Sequence, residues 1–151
     1  MLDRLMASAG AWQGTSTLQD PGRLEPETTP SSLTITPILN GRFVRLDYTW
    51  SYKGAPQAGS MLVGYQKSAR TVSIHWIDTW HNSDGVMAMS APAETSSLLT
   101  VRGSYPAPPG PDWGWKITLT PDLEGRVRIV MHNVSPEGEE YLAVEGEYTR
   151  A

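Results

Sequence analysis

The chain contains no cysteine, which excludes both a disulfide framework and a thiolate metal site. A basic excess is also missing, because 12 Lys and Arg stand against 16 Asp and Glu and give a formal net charge of −4. The basic residues are scattered, whereas a nucleic-acid groove normally shows them clustered. We therefore expect no nucleic-acid partner.

Long apolar runs are lacking as well. No stretch has the roughly 20 apolar residues that a transmembrane helix needs, and residues 1–6 do not form the basic region and apolar core of a signal peptide. The sequence predicts a cytoplasmic protein without a membrane segment. It shows no His pair at helical metal-ligand spacing, no Gly-rich phosphate loop and no nucleophile elbow. We expect no metal and no cofactor.

Phenylalanine is nearly absent, whereas other aromatic residues are abundant: one Phe accompanies six Trp and six Tyr. Aromatic rings with a polar tip suit walls that are apolar but partly wet, as in a ligand cavity. The same rings also fill ordinary protein cores. Both interpretations stay open at this point.

Short extended runs separated by turn signals dominate the chain, which at 151 residues is predicted to be a single domain, 1–151. Leu2, Leu5 and Met6 predict a short N-terminal helix. After a first strand that opens at Gly10, the predicted strands are Ser32–Leu39, Phe43–Tyr52, Ser60–Gln66, Thr71–Trp80, Val86–Ala91, Ser97–Tyr105, Trp113–Thr120, Arg126–Val134 and Glu140–Arg150. Short connections favour an all-β fold, an up-and-down antiparallel β-barrel of about ten strands. We expect the longer loops, 19–30 and 105–112, to cover a barrel mouth.

Alternation along each strand predicts which side chains face the barrel interior. The candidate ligand-binding residues on this inner face are Tyr48, Trp50, Met61, Tyr65, Trp76, Asp78, Trp115 and Met131. His75, His81 and His132 fall outside the predicted inner face, which disfavours haem.

Asp78 is the polar exception on the inner face, between Trp76 and Trp80. A buried carboxylate is costly, so we expect Asp78 to end its strand and bond local backbone or an indole N–H, or to be protonated with a raised pKa. With a raised pKa it would be a candidate general acid or base, with Tyr48 or Tyr65 supplying a hydrogen bond.

The first and last strands carry the signs of barrel closure. Trp12 stands between Gly10 and Gly14, and glycines beside a bulky ring mark a close approach of two backbones. Arg150 ends the last strand, where its guanidinium group would lie over the indole of Trp12. We predict a structural role for Trp12, Gly14 and Arg150.

These features together resemble the calycin superfamily of lipocalins and fatty-acid-binding proteins, and more closely a bacterial lipocalin-like family of unknown function. The matching pieces are Gly10-x-Trp12-x-Gly14, Asn40-Gly41-Arg42-Phe43, Gly59, Gly64-Tyr65, Trp76-Ile77-Asp78 and Arg150. The resemblance implies a barrel with an internal cavity. The haem-binding nitrobindins are distantly similar, but they carry a haem-ligating His near the last strand, where this chain has Tyr141-Leu142-Ala143-Val144.

The sequence thus predicts a protein that binds a small apolar or aromatic molecule in the barrel. Two alternatives remain open. One is an enzyme that uses Asp78 on a bound substrate. The other is a homodimeric interaction barrel with a filled interior, indicated by the outward-facing apolar residues Phe43 and Ile77.

Overall fold

The barrel expected from the sequence is confirmed by a computed structural model, which describes residues 2–94 and 97–151. Over these residues the chain forms one helix and ten strands. The elements are α1 Leu2–Ala7, β1 Gly10–Leu18, β2 Glu27–Ile38, β3 Phe43–Tyr52, β4 Ala55–Gln66, β5 Thr71–Asp78, β6 Met87–Pro92, β7 Leu99–Tyr105, β8 Trp113–Leu123, β9 Arg126–Val134 and β10 Glu140–Arg150. No helix among the described residues has the length and apolar character to cross a membrane.

Every strand pairs antiparallel with its neighbours in sequence, and β1 pairs with β10, so the sheet closes as an up-and-down barrel. Inward side chains alternate with outward ones, as in β3, where Val44, Leu46, Tyr48 and Trp50 are buried. In β4 the same alternation buries Met61 and Val63. The buried side chains form one cluster that fills the barrel between its two ends.

Several strand boundaries differ from the sequence prediction. The strand β2 begins at Glu27, so the first loop is 19–26, because Glu27–Pro30 continues the ladder with β1 down to the pair Leu18 and Glu27. The strand β4 begins at Ala55, and β8 extends to Leu123. The largest functional difference lies in β5, which ends at Asp78, so that Trp80 belongs to the following turn.

One end of the barrel is closed by α1, whose Leu2 and Leu5 are buried. Trp12 is 1% exposed, and its indole N–H donates to the Ser8 carbonyl at 2.9 Å. The Arg150 guanidinium lies 4.1 Å from the centre of the Trp12 ring and donates to the Ala9 carbonyl at 2.7 Å. The helix is thereby fastened to the seam where the first and last strands meet.

Gly14 explains how tightly that seam closes. A Cβ atom built on Gly14 would lie 1.8 Å from the Glu147 carbonyl oxygen on the paired strand β10. No side chain fits at that distance, so glycine is required by the approach of the two backbones.

The apolar residues that suggested a contact surface lie in different surroundings. The Phe43 ring packs over Gly64, where an added Cβ would meet it at 3.0 Å. Ile77 is 47% exposed on the outer face of β5. A homodimer therefore stays a prediction.

Candidate functional site

The open end of the barrel holds a cavity of about 580 Å³. Its wall is built from the ends of the strands on one side of the barrel and from the connections 19–26, 79–86 and 106–112. The aromatic and apolar residues of the wall are Leu18, Pro21, Trp76, Trp80, Val86, Met87, Tyr105, Pro106, Trp115, Tyr141, Leu142 and Ala143. The side of the cavity is therefore mostly apolar, and both long loops contribute to it.

Two tryptophans from strands β5 and β8 line the cavity and stack on each other. The Trp76 and Trp115 rings are stacked, with centroids 5.4 Å apart and an angle of 14° between their planes. Both residues come from predicted inward positions, and each is almost completely buried. Trp80, from the turn after β5, adds a third indole at the rim.

Asp78 lies beneath this wall with its side chain fully buried. One carboxylate oxygen, Oδ2, accepts the Tyr48 hydroxyl at 2.8 Å and the Trp50 indole N–H at 3.2 Å. The other, Oδ1, accepts the backbone N–H groups of Trp80 and His81, each at 2.9 Å. These two backbone bonds end β5 and turn the chain, as Asp side chains do at strand ends.

A ring nitrogen completes the shell of donors around Asp78. His81 Nδ1 lies 3.1 Å from Asp78 Oδ1. The Tyr48 hydroxyl, which donates to the carboxylate, itself accepts the Trp76 indole N–H at 2.8 Å. Strands β3 and β5 and the turn after β5 are thus joined through one carboxylate.

These contacts set the ionisation of the buried groups. Burial raises the pKa of Asp78, but the hydrogen bonds from His81, the positive charge of that ring when it is protonated and the hydrogen bond from Tyr48 lower it by more. This pKa therefore lies below its ordinary value of 3.8. Burial, and then the Asp78 charge, raise the pKa of Tyr48 well above its ordinary value. Asp78 is therefore an ionised acceptor and Tyr48 a protonated donor. Of the two alternatives for Asp78, the strand end bonded to backbone and indole N–H groups is confirmed, and the raised pKa is wrong because the His81 and Tyr48 contacts outweigh burial.

His81 is the residue that the sequence prediction missed. Its side chain is 11% exposed, lines the cavity and is surrounded by indoles, so its exclusion from the interior is wrong. The ring centroid of His81 lies 4.7 Å from that of Trp80 and 5.5 Å from those of Trp50, Trp76 and Trp115. Strand parity does not apply to His81, because the turn that Asp78 stabilises folds the ring back over the barrel. The signal in the sequence that could have indicated this position is the spacing Asp78-x-x-His81 at the end of a strand.

Three buried polar atoms of the cavity-lining residues have no hydrogen-bond partner among the described residues. They are His81 Nε2, Asn82 Oδ1 and Trp115 Nε1. Asn82 is held by its other amide atom, Nδ2, which donates to the Trp76 carbonyl at 2.8 Å. Buried polar atoms are usually paired, so three unpaired ones enclosed in the residues of one cavity wall make this wall the candidate place for a polar ligand group.

The remaining candidate residues lie at different depths. Tyr48, Trp50, Asp78 and Met131 surround a narrow void of about 10 Å³ below the main cavity, and Met61 lies fully buried in the core. Tyr65 lies near the opposite end, in an open cleft beside α1 with Met6 and Phe43. The structure therefore brings Trp76, Trp115 and Asp78 together with His81, but places Tyr65 far along the barrel.

The first long loop is fastened at the mouth. The Tyr52 hydroxyl donates to Asp20 Oδ2 at 2.7 Å, and this bond, followed by one from the Gly22 N–H, lowers the pKa of Asp20. The neighbours of Asp20 in the loop, Gln19 and Pro21, line the cavity. The loop is thereby held as one part of the cavity wall.

Comparison with known proteins places almost the whole chain in one group. Residues 2–150 match the family model described as "Protein of unknown function (DUF1579)". No curated protein sequence matches the chain.

Proposed function

We propose that this chain, which belongs to the DUF1579 family of proteins of unknown function, binds a small aromatic molecule in the cavity at the open end of its barrel. The observation that carries the proposal is a cavity of about 580 Å³ with indole walls and a buried Asp78–His81 pair beneath them. Ligand cavities in proteins commonly measure roughly 300 to 1,000 Å³ and combine apolar walls with a few polar groups.

The shape of the wall favours a flat ligand. Trp76 and Trp115 stack on each other and line the cavity, and Trp80 and Tyr105 add further aromatic surface. Aromatic rings pack against one another in offset or edge-to-face arrangements that contribute about 0.5 to 1.5 kcal/mol beyond burial. Met87 adds a flexible side chain that adapts to different ligand outlines.

The filled lower barrel supports a site confined to the mouth. Val44, Leu46, Met61 and Ile74 are fully buried, and the void near Met131 measures only about 10 Å³. The alternative of a filled interior thus describes the lower barrel, whereas the cavity occupies its open end. We also propose that the barrel is a calycin, supported by its up-and-down order and the Trp12–Arg150 closure.

A cavity-filling substitution tests the proposal. Met87 faces inward at the cavity, so Met87→Trp should occupy ligand space, whereas Met87→Leu nearly conserves volume. We expect para-nitroanisole to quench the tryptophan fluorescence of the wild type and of Met87→Leu with similar affinity. Met87→Trp should weaken its binding by about tenfold or more, equivalent to about 1.4 kcal/mol.

Urea unfolding of each variant checks that the barrel is intact. The proposal is wrong if the wild type shows no saturable quenching with para-nitroanisole or other apolar aromatic compounds. It is equally wrong if a folded Met87→Trp variant binds them as tightly as the wild type.

A further inference from the structure

We propose that the ligand carries an acidic aromatic hydroxyl, and that the Asp78–His81 pair accepts the proton of this hydroxyl in the cavity. This inference rests on the proposed function and names the ligand class for the same site. It assigns His81 as the proton acceptor and Asp78 as the positioning residue, in place of the direct acid–base role that the sequence indicated for Asp78.

The first step of the argument is the orientation of the His81 ring. The Asp78 carboxylate only accepts hydrogen bonds, so the contact between Oδ1 and Nδ1 at 3.1 Å places a hydrogen on Nδ1. In the neutral ring the lone pair then belongs to Nε2, the atom without a partner among the described residues. A carboxylate that fixes one ring nitrogen and leaves the other as a base is the arrangement of carboxylate–histidine pairs in hydrolases.

The second step is that Asp78 is itself held rigidly. Tyr48 and Trp50 bind its Oδ2, and two backbone N–H groups bind its Oδ1. The carboxylate therefore keeps its place when the charge on the His81 ring changes. An imidazolium formed at His81 would be paired with Asp78 and surrounded by indole rings, whose π-systems attract cations.

The third step concerns the charged and titratable neighbours. The cavity-lining residues that the structure describes include no Lys, Arg, Asp or Glu. The titratable groups that face His81 or its cavity are Asp78 on β5, Tyr48 on β3, Tyr105 on β7 and Tyr141 on β10. Tyr48 is held as a donor to Asp78, and the Tyr105 hydroxyl donates to Asn133 at 2.6 Å. His81 is thus the base that the described cavity wall offers to a ligand proton.

The chemistry of the unpaired polar atoms selects the ligand group, which reaches these enclosed atoms when the side chains of the cavity wall adjust around it. A hydroxyl donates one hydrogen bond, which suits His81 Nε2, and accepts others, which suits the Trp115 Nε1 donor. The hydroxyl is placed on an aromatic ring because the indole walls favour a flat ligand, and because an aromatic ring delocalises the charge that remains after proton loss. A carboxylate ligand would instead bring a permanent negative charge close to Asp78.

The proposed step is a proton transfer that balances without a co-reactant. The ligand O–H bond breaks, its electron pair stays on oxygen, and the proton forms a bond with the lone pair of His81 Nε2. The products are an aromatic oxyanion and an imidazolium, the first facing the Trp115 N–H and the second paired with Asp78.

The experiment uses para-nitrophenol, whose phenolate form absorbs at longer wavelength than its neutral form, with para-nitroanisole as the analogue without an acidic proton. At a pH where the free phenol is mostly neutral, we expect the wild type to increase the phenolate band on binding. We also expect the phenol to bind about tenfold more tightly than the anisole. His81→Gln should remove both effects, the phenolate band on binding and the preference for the phenol over the anisole.

The matched control is His75→Gln, on the exposed outer face of β5, which should behave as the wild type. As a second variant, Trp115→Phe keeps an aromatic wall but removes the indole N–H, and should reduce the bound phenolate fraction. The inference is overturned if para-nitroanisole binds but bound para-nitrophenol stays neutral, or if the phenolate band persists in His81→Gln. Failure of both compounds to bind would overturn the proposed function as well.

Discussion

At the scale of the residue, Asp78 concentrates more interactions than any neighbouring side chain at the mouth. Its carboxylate ends β5, joins Tyr48 and Trp50 of β3, and orients His81. The sequence indicated the position of this acid but not its ionisation, since the donors come from another strand and from a turn. The backbone bonds, an indole N–H and a Tyr48 hydrogen bond are among the partners predicted from the sequence, whereas the contact with the His81 ring is not.

Replacing Asp78 with Asn should lower the free energy of unfolding by about 3 kcal/mol, because a buried donor that loses its charged acceptor costs about 1 to 3 kcal/mol. The Asn side chain has an NH2 group in place of one carboxylate oxygen. The hydrogen-bond donors that now bind that oxygen then lose their acceptor. Urea unfolding at neutral pH measures the loss. Asp47→Asn is the matched control, because Asp47 pairs with Arg45 near the surface. This control should lower the free energy of unfolding by less than about 1 kcal/mol.

The same substitution has a defined pH dependence. Because the folded-state pKa of Asp78 is lowered, the unfolded chain binds the proton first as pH falls. The stability contributed by the ionised carboxylate is therefore complete above the ordinary pKa of 3.8 and is lost as pH falls below it through the folded-state value. The difference in unfolding free energy between wild type and Asp78→Asn should shrink over that window. A difference that grows on acidification would contradict this ionisation.

At the scale of the element, the seam between β1 and β10 closes the barrel. Trp12 pairs with Arg150 in register, and Gly14 pairs with Tyr148. The contact of the guanidinium with the indole and the bond to the Ala9 carbonyl join this seam to α1. The spacing of Gly10, Trp12 and Gly14 predicted this arrangement because a close approach of two strands excludes side chains.

Gly14→Ala should lower the free energy of unfolding by about 3 kcal/mol, because the new methyl group would force β10 away at the Glu147 carbonyl. Urea unfolding again supplies the measurement. The control is Gly110→Ala, where an added Cβ meets only ordinary contacts at 3.6 Å and the change should stay within about 0.5 kcal/mol. Equal stability of the two variants would show that the seam tolerates a side chain.

Alternation predicted the inner faces of the strands better than their ends. The bounds of β3, β9 and β10 agree with the sequence. β3 and β9 alternate clearly, whereas a bulge between Leu142 and Val144 interrupts the alternation of β10 and buries Ala143 instead of Leu142. Pro21, Gly22 and Pro26 predict an irregular loop that extends to residue 30, yet Glu27–Pro30 pairs with β1 in the ladder. The turn after Asp78 could not be predicted from periodicity, because side-chain hydrogen bonds rather than alternation set its course.

At the scale of the whole molecule, the two ends of the barrel have different roles. The helix, Trp12 and Arg150 close one end, whereas loops and indoles surround a cavity at the other. The sequence predicted the closed barrel because every short connection joins neighbouring strands. It did not predict which candidate residues share one end. Tyr65 and Trp76 are both predicted to face inward, but they lie at different heights along the barrel.

The six tryptophans provide the most direct test of the central claim that the open end binds an aromatic ligand. Their indole N–H signals in a correlation spectrum of isotopically labelled protein report both ends of the barrel at once. On titration with para-nitroanisole, we predict saturable shifts for Trp76, Trp80 and Trp115, and no change for Trp12, whose N–H is bound to Ser8 at the closed end. Unchanged signals at saturating ligand, or shifts confined to Trp12, would contradict the account.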